Sequence, residues 1–225
     1  MEQRQPVSLR SSRRFVGEVG IIVVGVLLAL AAQEMVQNFH WRTELTEARE
    51  SLNIQLEESY FASEERVRMK DCTARQLDRL DSAIEGDRPR ISDIRIGALR
   101  LWSTSAWDAA VSSGAVAHMP PVERNRYASL FAFTAALREI NQREFEIASG
   151  LDTLVRHPDL TDVSRDRLAQ QIAQLKGINR ILALGSSQWI EGAKALGLTQ
   201  SAEMRKELAR PQACPMPDDP IGKPS

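Results

Sequence analysis

Residues 19–32 read VGIIVVGVLLALAA, fourteen positions without a charge or a hydrogen-bonding side chain. With its flanks from Phe15 to Val36 the run forms twenty-two residues. As a helix they reach about 33 Å, enough to cross a hydrocarbon core of about 30 Å. Arg4, Arg10, Arg13 and Arg14 precede the run against Glu2 alone, whereas residues 34–60 carry Arg42 and Arg49 against six glutamates. This Lys/Arg asymmetry keeps the N-terminus in the cytoplasm, and Phe39 and Trp41 then fall at the far interface. The layout that follows is a cytoplasmic segment 1–14, a transmembrane helix 15–36, a domain 37–198 outside the cytoplasm, and a short helix and tail 199–225. In a bacterial cell that is a single-pass inner-membrane protein with a periplasmic domain.

A cleaved signal peptide is the rival reading, because a basic start, an apolar stretch and Ala29-Leu30-Ala31 also fit one. Against it, no Gly or Pro interrupts the helix just before that triplet. Gln33-Glu34-Met35-Val36-Gln37 then continues in helix-forming residues. The simpler expectation is an uncleaved anchor that runs on into the exported domain.

Prolines are sparse beyond the membrane run: Pro89, Pro120-Pro121 and Pro158 precede the tail at Pro211. Long stretches between them are free to be helical. The expected fold is all-α, the membrane helix continuing into an antiparallel four-helix bundle-like domain. Helix A runs to about Glu85, helix B from about Ser92 to Ser113 with Gly114 as C-cap, helix C from Pro121 to about Arg156, and helix D from about Ser164 to Leu196. Helix D carries the clearest period: Leu168, Ile172, Leu175, Asn179, Leu182, Ser186, Trp189, Ala193 and Leu196 alternate at four and three residues, a coiled-coil-like seam. Its two polar members, Asn179 and Ser186, read as register-setting positions. Phe133, Leu137, Ile140, Ile147, Leu151 and Leu154 suggest the same geometry in helix C. The charged stretch Glu64–Asp71 reads as a solvated face or a bend in helix A, and Ile94-Arg95-Ile96 leaves room for a short strand in helix B. Five of the last fifteen residues are proline, so the tail reads as disordered.

Composition narrows the function. Lys+Arg 29 against Asp+Glu 30 gives none of the cationic surplus that phosphate-rich partners demand, so nucleic acid is not an expected partner. His40, His118, His157, Cys72 and Cys214 leave no two N/S ligands three or four residues apart, so neither a metal nor a cofactor is expected. Ser112-Ser113-Gly114 and Gly185-Ser186-Ser187 lack the nucleophile-elbow context, and no Ser-x-x-Lys occurs. The adjacent carboxylates Glu57-Glu58 and Glu64-Glu65 point apart on a helix. No catalytic residue emerges, and the chain does not read as an enzyme. His157 reads as a cation at a helix C-terminus, and Trp102, Trp107 and Trp189 as core anchors.

Two constellations remain. Glu18, Gly25, Ala29 and Ala32 share a stripe of the membrane helix where small residues permit close approach of a second helix; Glu18 is equally an interfacial carboxylate. Cys72 and Cys214, an even pair in an oxidising compartment, are expected to bond. Closing so long a loop stabilises by about 4 to 5 kcal/mol in the chain-entropy model.

Arg13-Arg14-Phe15, Gly17-Glu18, Gly25-Val26-Leu27-Leu28-Ala29-Leu30 and Trp41-Arg42, followed by Trp107, Ser112-Ser113-Gly114 and Tyr127, form a pattern over roughly residues 13–135. It resembles uncharacterised bacterial single-span inner-membrane proteins with an extracytoplasmic helical domain. The resemblance implies topology and a helical domain, and no catalytic residue. The expected function is that of a membrane-anchored structural or interaction component. Its partners would be the bilayer and either another protein or a second copy, met through helical faces. A sensory or ligand-binding bundle acting through a membrane partner, and a secreted helical protein after signal cleavage, are the alternatives.

Overall fold

The computed structural model describes residues 9–85, 99–100, 102–151, 160–210 and 214, with side chains from residue 18 onward. Among the described residues every regular element is helical: α1 (Leu9–Glu85), α2 (Ser105–Ser112), a 3-10 turn (Ala115–His118), α3 (Pro121–Gly150), α4 (Asp162–Ala195) and α5 (Ala202–Leu208). The chain forms two compact units, residues 1–47 and 48–225.

In the first unit α1 presents its apolar side chains outward: Ile21, Leu28 and Val36 are all exposed, and no residue of the apolar window is buried. It is the one described helix long and apolar enough to cross a membrane.

The second unit is built on the distal half of α1 together with α3 and α4. Ion pairs and hydrogen bonds join Arg49 to Glu123, Asn53 to Tyr127 and Arg66 to Glu144, at near-constant separations of 74, 74 and 78 residues. α1 and α3 therefore run parallel. α4 runs antiparallel to both, since Leu130 lies by Gly192 and Leu137 by Gly185, while Arg66 meets Asn179 and Asp81 meets Lys176 further down. Parallel neighbours need a return connection. Residues 99–100 and 102–106 supply part of it, running back along α1 from the Arg100–Glu65 ion pair to the Ser105–Gln55 hydrogen bond.

That return leg departs from the helix expected over 92–113. Of its described residues only Ser105–Ser112 are α-helical, and residues 99–100 and 102–104 carry no helix. The backbone groups left unpaired there find side chains of the long helices instead: Arg100 N donates to Asn141 Oδ1 (2.8 Å) and Ala106 N to Gln55 Oε1 (2.9 Å). Ile94-Arg95-Ile96 lies outside the described residues. So do His157, Leu154 and the proline-rich tail apart from Cys214.

The ends of the elements follow the sequence cues. Gly114 terminates the α2 region at φ 83, where a side chain would strain the backbone, and Pro121 opens α3 at its first position. Thr161 caps α4 by accepting from Ser164 N. The α4 seam is buried as its spacing predicts, from Leu168 to Ala193, with Leu196 half-buried. α1 is an unbroken helix through Glu64–Asp71, and Arg66 in that stretch is fully buried rather than solvated. At the end of the unit away from residue 48, Leu77, Leu80, Ile84, Ala148, Leu151, Leu168, Ile172 and Leu175 make a purely apolar cluster.

Candidate functional site

α3 buries a different stripe from the one its apolar residues suggest. Leu130, Thr134, Leu137, Asn141, Glu144, Ala148 and Leu151 face inward at four- and three-residue spacing, whereas Phe133, Ile140 and Ile147 are half-buried and Phe145 is exposed. Three of the seven inward positions are polar. Each has a partner that explains it.

Glu144 is completely buried and takes a bidentate pair from Arg66, Nη2–Oε1 2.7 Å and Nη1–Oε2 3.0 Å. Arg66 Nη2 also donates to Asn179 Oδ1 (2.9 Å), and Asn179 Nδ2 returns to the α1 backbone at Lys70 O (3.0 Å). Asn141 Nδ2 donates to Glu144 Oε2 at 3.3 Å while its Oδ1 holds the return leg at Arg100. The cluster thus ties α1, α3, α4 and residue 100 together at one level of the core. Burial pulls the Arg66 guanidinium below its ordinary pKa; the Glu144 carboxylate opposes this, and the nearby Arg100 cation adds to it. Among the described residues Arg66 Nε and Ser186 Oγ are buried with no hydrogen-bond partner.

A second polar level lies nearer residue 48. Trp189, wholly buried, donates from Nε1 to Thr134 Oγ1 (2.9 Å) and packs edge-on to Tyr60 with ring centroids 6.1 Å apart. Trp102 donates to Ser63 Oγ (3.3 Å), and half-buried Trp107 stacks on Phe131 at 5.8 Å. Trp102 and Trp189 are core anchors with satisfied N–H groups, as expected; Trp107, expected to anchor the core as well, is half-buried.

At the rim, Arg49 holds Glu123 in a bidentate pair at 2.6 and 2.9 Å. That hydrogen bonding lowers the Glu123 pKa and raises that of Arg49, while burial raises the Tyr127 phenol. At the opposite end Lys176 bridges Asp78 (2.8 Å) and Asp81 (2.7 Å); partial burial works against its charge, but the two carboxylates prevail and its pKa is raised.

Of the residues singled out in the sequence, Cys72 and Cys214 are joined in a disulfide across 142 residues. Glu18, Gly25, Ala29 and Ala32 lie on the exposed surface of α1, and a Cβ added at Gly25 would meet nothing within 4 Å. Sequence reasoning missed Arg66, Asn141 and Glu144. The available signal was register: continuing the Leu130–Leu137–Leu151 spacing through the polar positions lands on Asn141 and Glu144. Among the described residues no cluster of three or more His, Cys, Asp or Glu side chains could hold a metal. Compared with protein-family models, with curated proteins and with solved structures, the chain finds no match.

Proposed function

We propose that the chain is a single-span protein of a bacterial inner membrane, N-terminus in the cytoplasm, whose domain outside the cytoplasm acts as a structural or interaction component through protein contact. The observation that carries this reading is an apolar helix segment with no residue of its window buried, in a chain whose other long helices all bury a stripe. An apolar surface of that length is stable in lipid and costly in water. The arginines before it and the glutamates after it supply the orientation. The Cys72–Cys214 bond supports an oxidising surrounding for the domain.

The finer architecture belongs to the same proposal: residues 37–198 as an antiparallel four-membered bundle, the return leg and α2 being the fourth member, followed by a short helix and a disordered tail. So does kinship with the uncharacterised single-span proteins that the sequence resembles. Every polar cluster described above is engaged in holding helices together, which favours a scaffold over an enzyme. In the membrane, Glu18, Gly25, Ala29 and Ala32 form the face offered to a second helix, from a partner or another copy.

Fusion of paired reporters after Ser225, one active only in the cytoplasm and one only outside it, tests the topology. The expected result is activity of the external reporter in membrane fractions. Cytoplasmic activity would overturn the orientation, and external activity in the soluble fraction with a shortened N-terminus would replace the anchor by a cleaved signal.

A further inference from the structure

The segment after α4 keeps step with α1. Ser201 N donates to Glu57 Oε1 (2.7 Å), Arg68 donates to the carbonyls of Leu208 and Arg210, and Cys214 is bonded to Cys72, at sequence offsets of 144, 140, 142 and 142. Residues 201–210 and Cys214 therefore follow α1 in parallel over Glu57–Cys72. Their apolar hold is thin: of Ala202–Leu208 only Leu208 is buried and Met204 half-buried, and the other five side chains are exposed. A seven-residue helix does not persist on propensity alone. The covalent bond is the strongest of the few links that hold this segment to α1.

The bond is also reachable. It lies in an open groove with Arg68, Met69, Asp71 and Arg75, where Cys214 is half-buried and Cys72 almost fully buried. An incoming thiolate meets the Cys214 sulfur first, leaving Cys72 as the departing thiolate between two arginines. Cations beside a leaving thiolate stabilise it and favour exchange.

We infer that residues 201–210, tied down through Cys214, are a redox-released strap: an external dithiol opens the Cys72–Cys214 bond, and the strap leaves the α1 stripe that it covers. The chemistry balances within the exchange. One thiolate of the dithiol attacks Cys214 Sγ, the bond to Cys72 breaks, and the second thiol of the reductant resolves the mixed disulfide. Two electrons and two protons pass to Cys72 and Cys214 as the reductant becomes a disulfide. Release frees Glu57 and Arg68 and bares the α1 surface from Glu57 to Cys72. The device is intrinsic to the chain and independent of its orientation in the membrane.

Amide hydrogen exchange on the full chain in detergent micelles, with and without dithiothreitol, tests it, with Cys214→Ser as a strap opened without reductant. Residues 201–210 should exchange at least tenfold faster on reduction, matching the variant, while α3 and α4 keep their protection. Arg75→Ala, which leaves the Arg68 bonds to the strap in place, should slow reduction several-fold. Protection of 201–210 that survives complete alkylation of both thiols would overturn the strap. Loss of protection across α3 and α4 would do so too, making the bond a staple of the whole domain, and so would a bond that resists dithiothreitol while the chain stays folded.

Discussion

Glu144 occupies a position where a heptad core calls for leucine, and Arg66 meets it from a stretch of α1 that reads as solvent-facing. A buried pair of this kind is weak evidence of stability, because desolvating both ions offsets their attraction, but breaking it strands a charge. Glu144→Leu or Arg66→Met alone should therefore cost about 3 to 5 kcal/mol in denaturant unfolding. The double replacement should recover most of that loss. A double variant as unstable as the sum of the singles would show that the two side chains do not act as a unit. At the rim, the Glu123 carboxyl titrates below its unfolded value because Arg49 donates to it. Its contribution is therefore complete above the ordinary glutamate range and is lost as pH falls through the lowered pKa. With the Arg49 side chain 38% exposed, solvent screening keeps the pair below about 1 kcal/mol. The stability gap between wild type and Glu123→Gln should be constant above the ordinary glutamate range and narrow as pH falls below it; a gap that does not narrow would assign the effect to packing. None of these polar partners was legible one residue at a time, since an isolated Glu, Asn or Arg in a charged stretch looks like surface. What makes them core is the partner 78 or 113 residues away.

Among the elements, α4 was readable almost entirely, because its seam is apolar at seven of nine positions and its two polar members fall on the same stripe. α3 was readable as a helix and misread in rotation: its exposed and half-buried phenylalanines and isoleucines outweigh its buried Thr134, Asn141 and Glu144 in any apolar pattern. The return leg was misread as helix over 99–100 and 102–104, where Arg100 N and, just beyond, Ala106 N bond to side chains of the long helices, which no periodicity reports. Close approach of α3 and α4 is set at Gly185, where an added Cβ would lie 3.0 Å from Leu137 Cδ2 and 3.7 Å from Phe133. Gly185→Leu should force the two helices apart and destabilise by about 1 to 3 kcal/mol, as overpacking does. Gly177→Leu, where nothing lies within 4 Å, is the control. Equal thermal shifts for the two variants would remove Gly185 from the packing argument.

For the whole molecule, assembly in the membrane is the function-bearing expectation, and it rests on the stripe of Glu18, Gly25, Ala29 and Ala32. If that face packs on another helix, Gly25→Leu should weaken association in a membrane-helix reporter while insertion is unchanged. Unchanged association in both Gly25→Leu and Glu18→Gln would return Glu18 to an interfacial carboxylate. The long apolar helix and the disulfide were legible because charge-free length and an even cysteine count are properties of the chain itself; the parallel pairing of α1 and α3 is not. That pairing carries a consequence in time. The chain is made from its N-terminus, so the inward stripe of α1 appears first. Arg66 then waits through 113 further residues for Asn179, roughly 6 to 20 s at ordinary rates of synthesis. Cys72 waits 142 residues for Cys214. Through that interval the inward stripe of α1 lacks its α4 partner, and whatever attends the nascent chain has both an exposed stripe and an unspent thiol to hold.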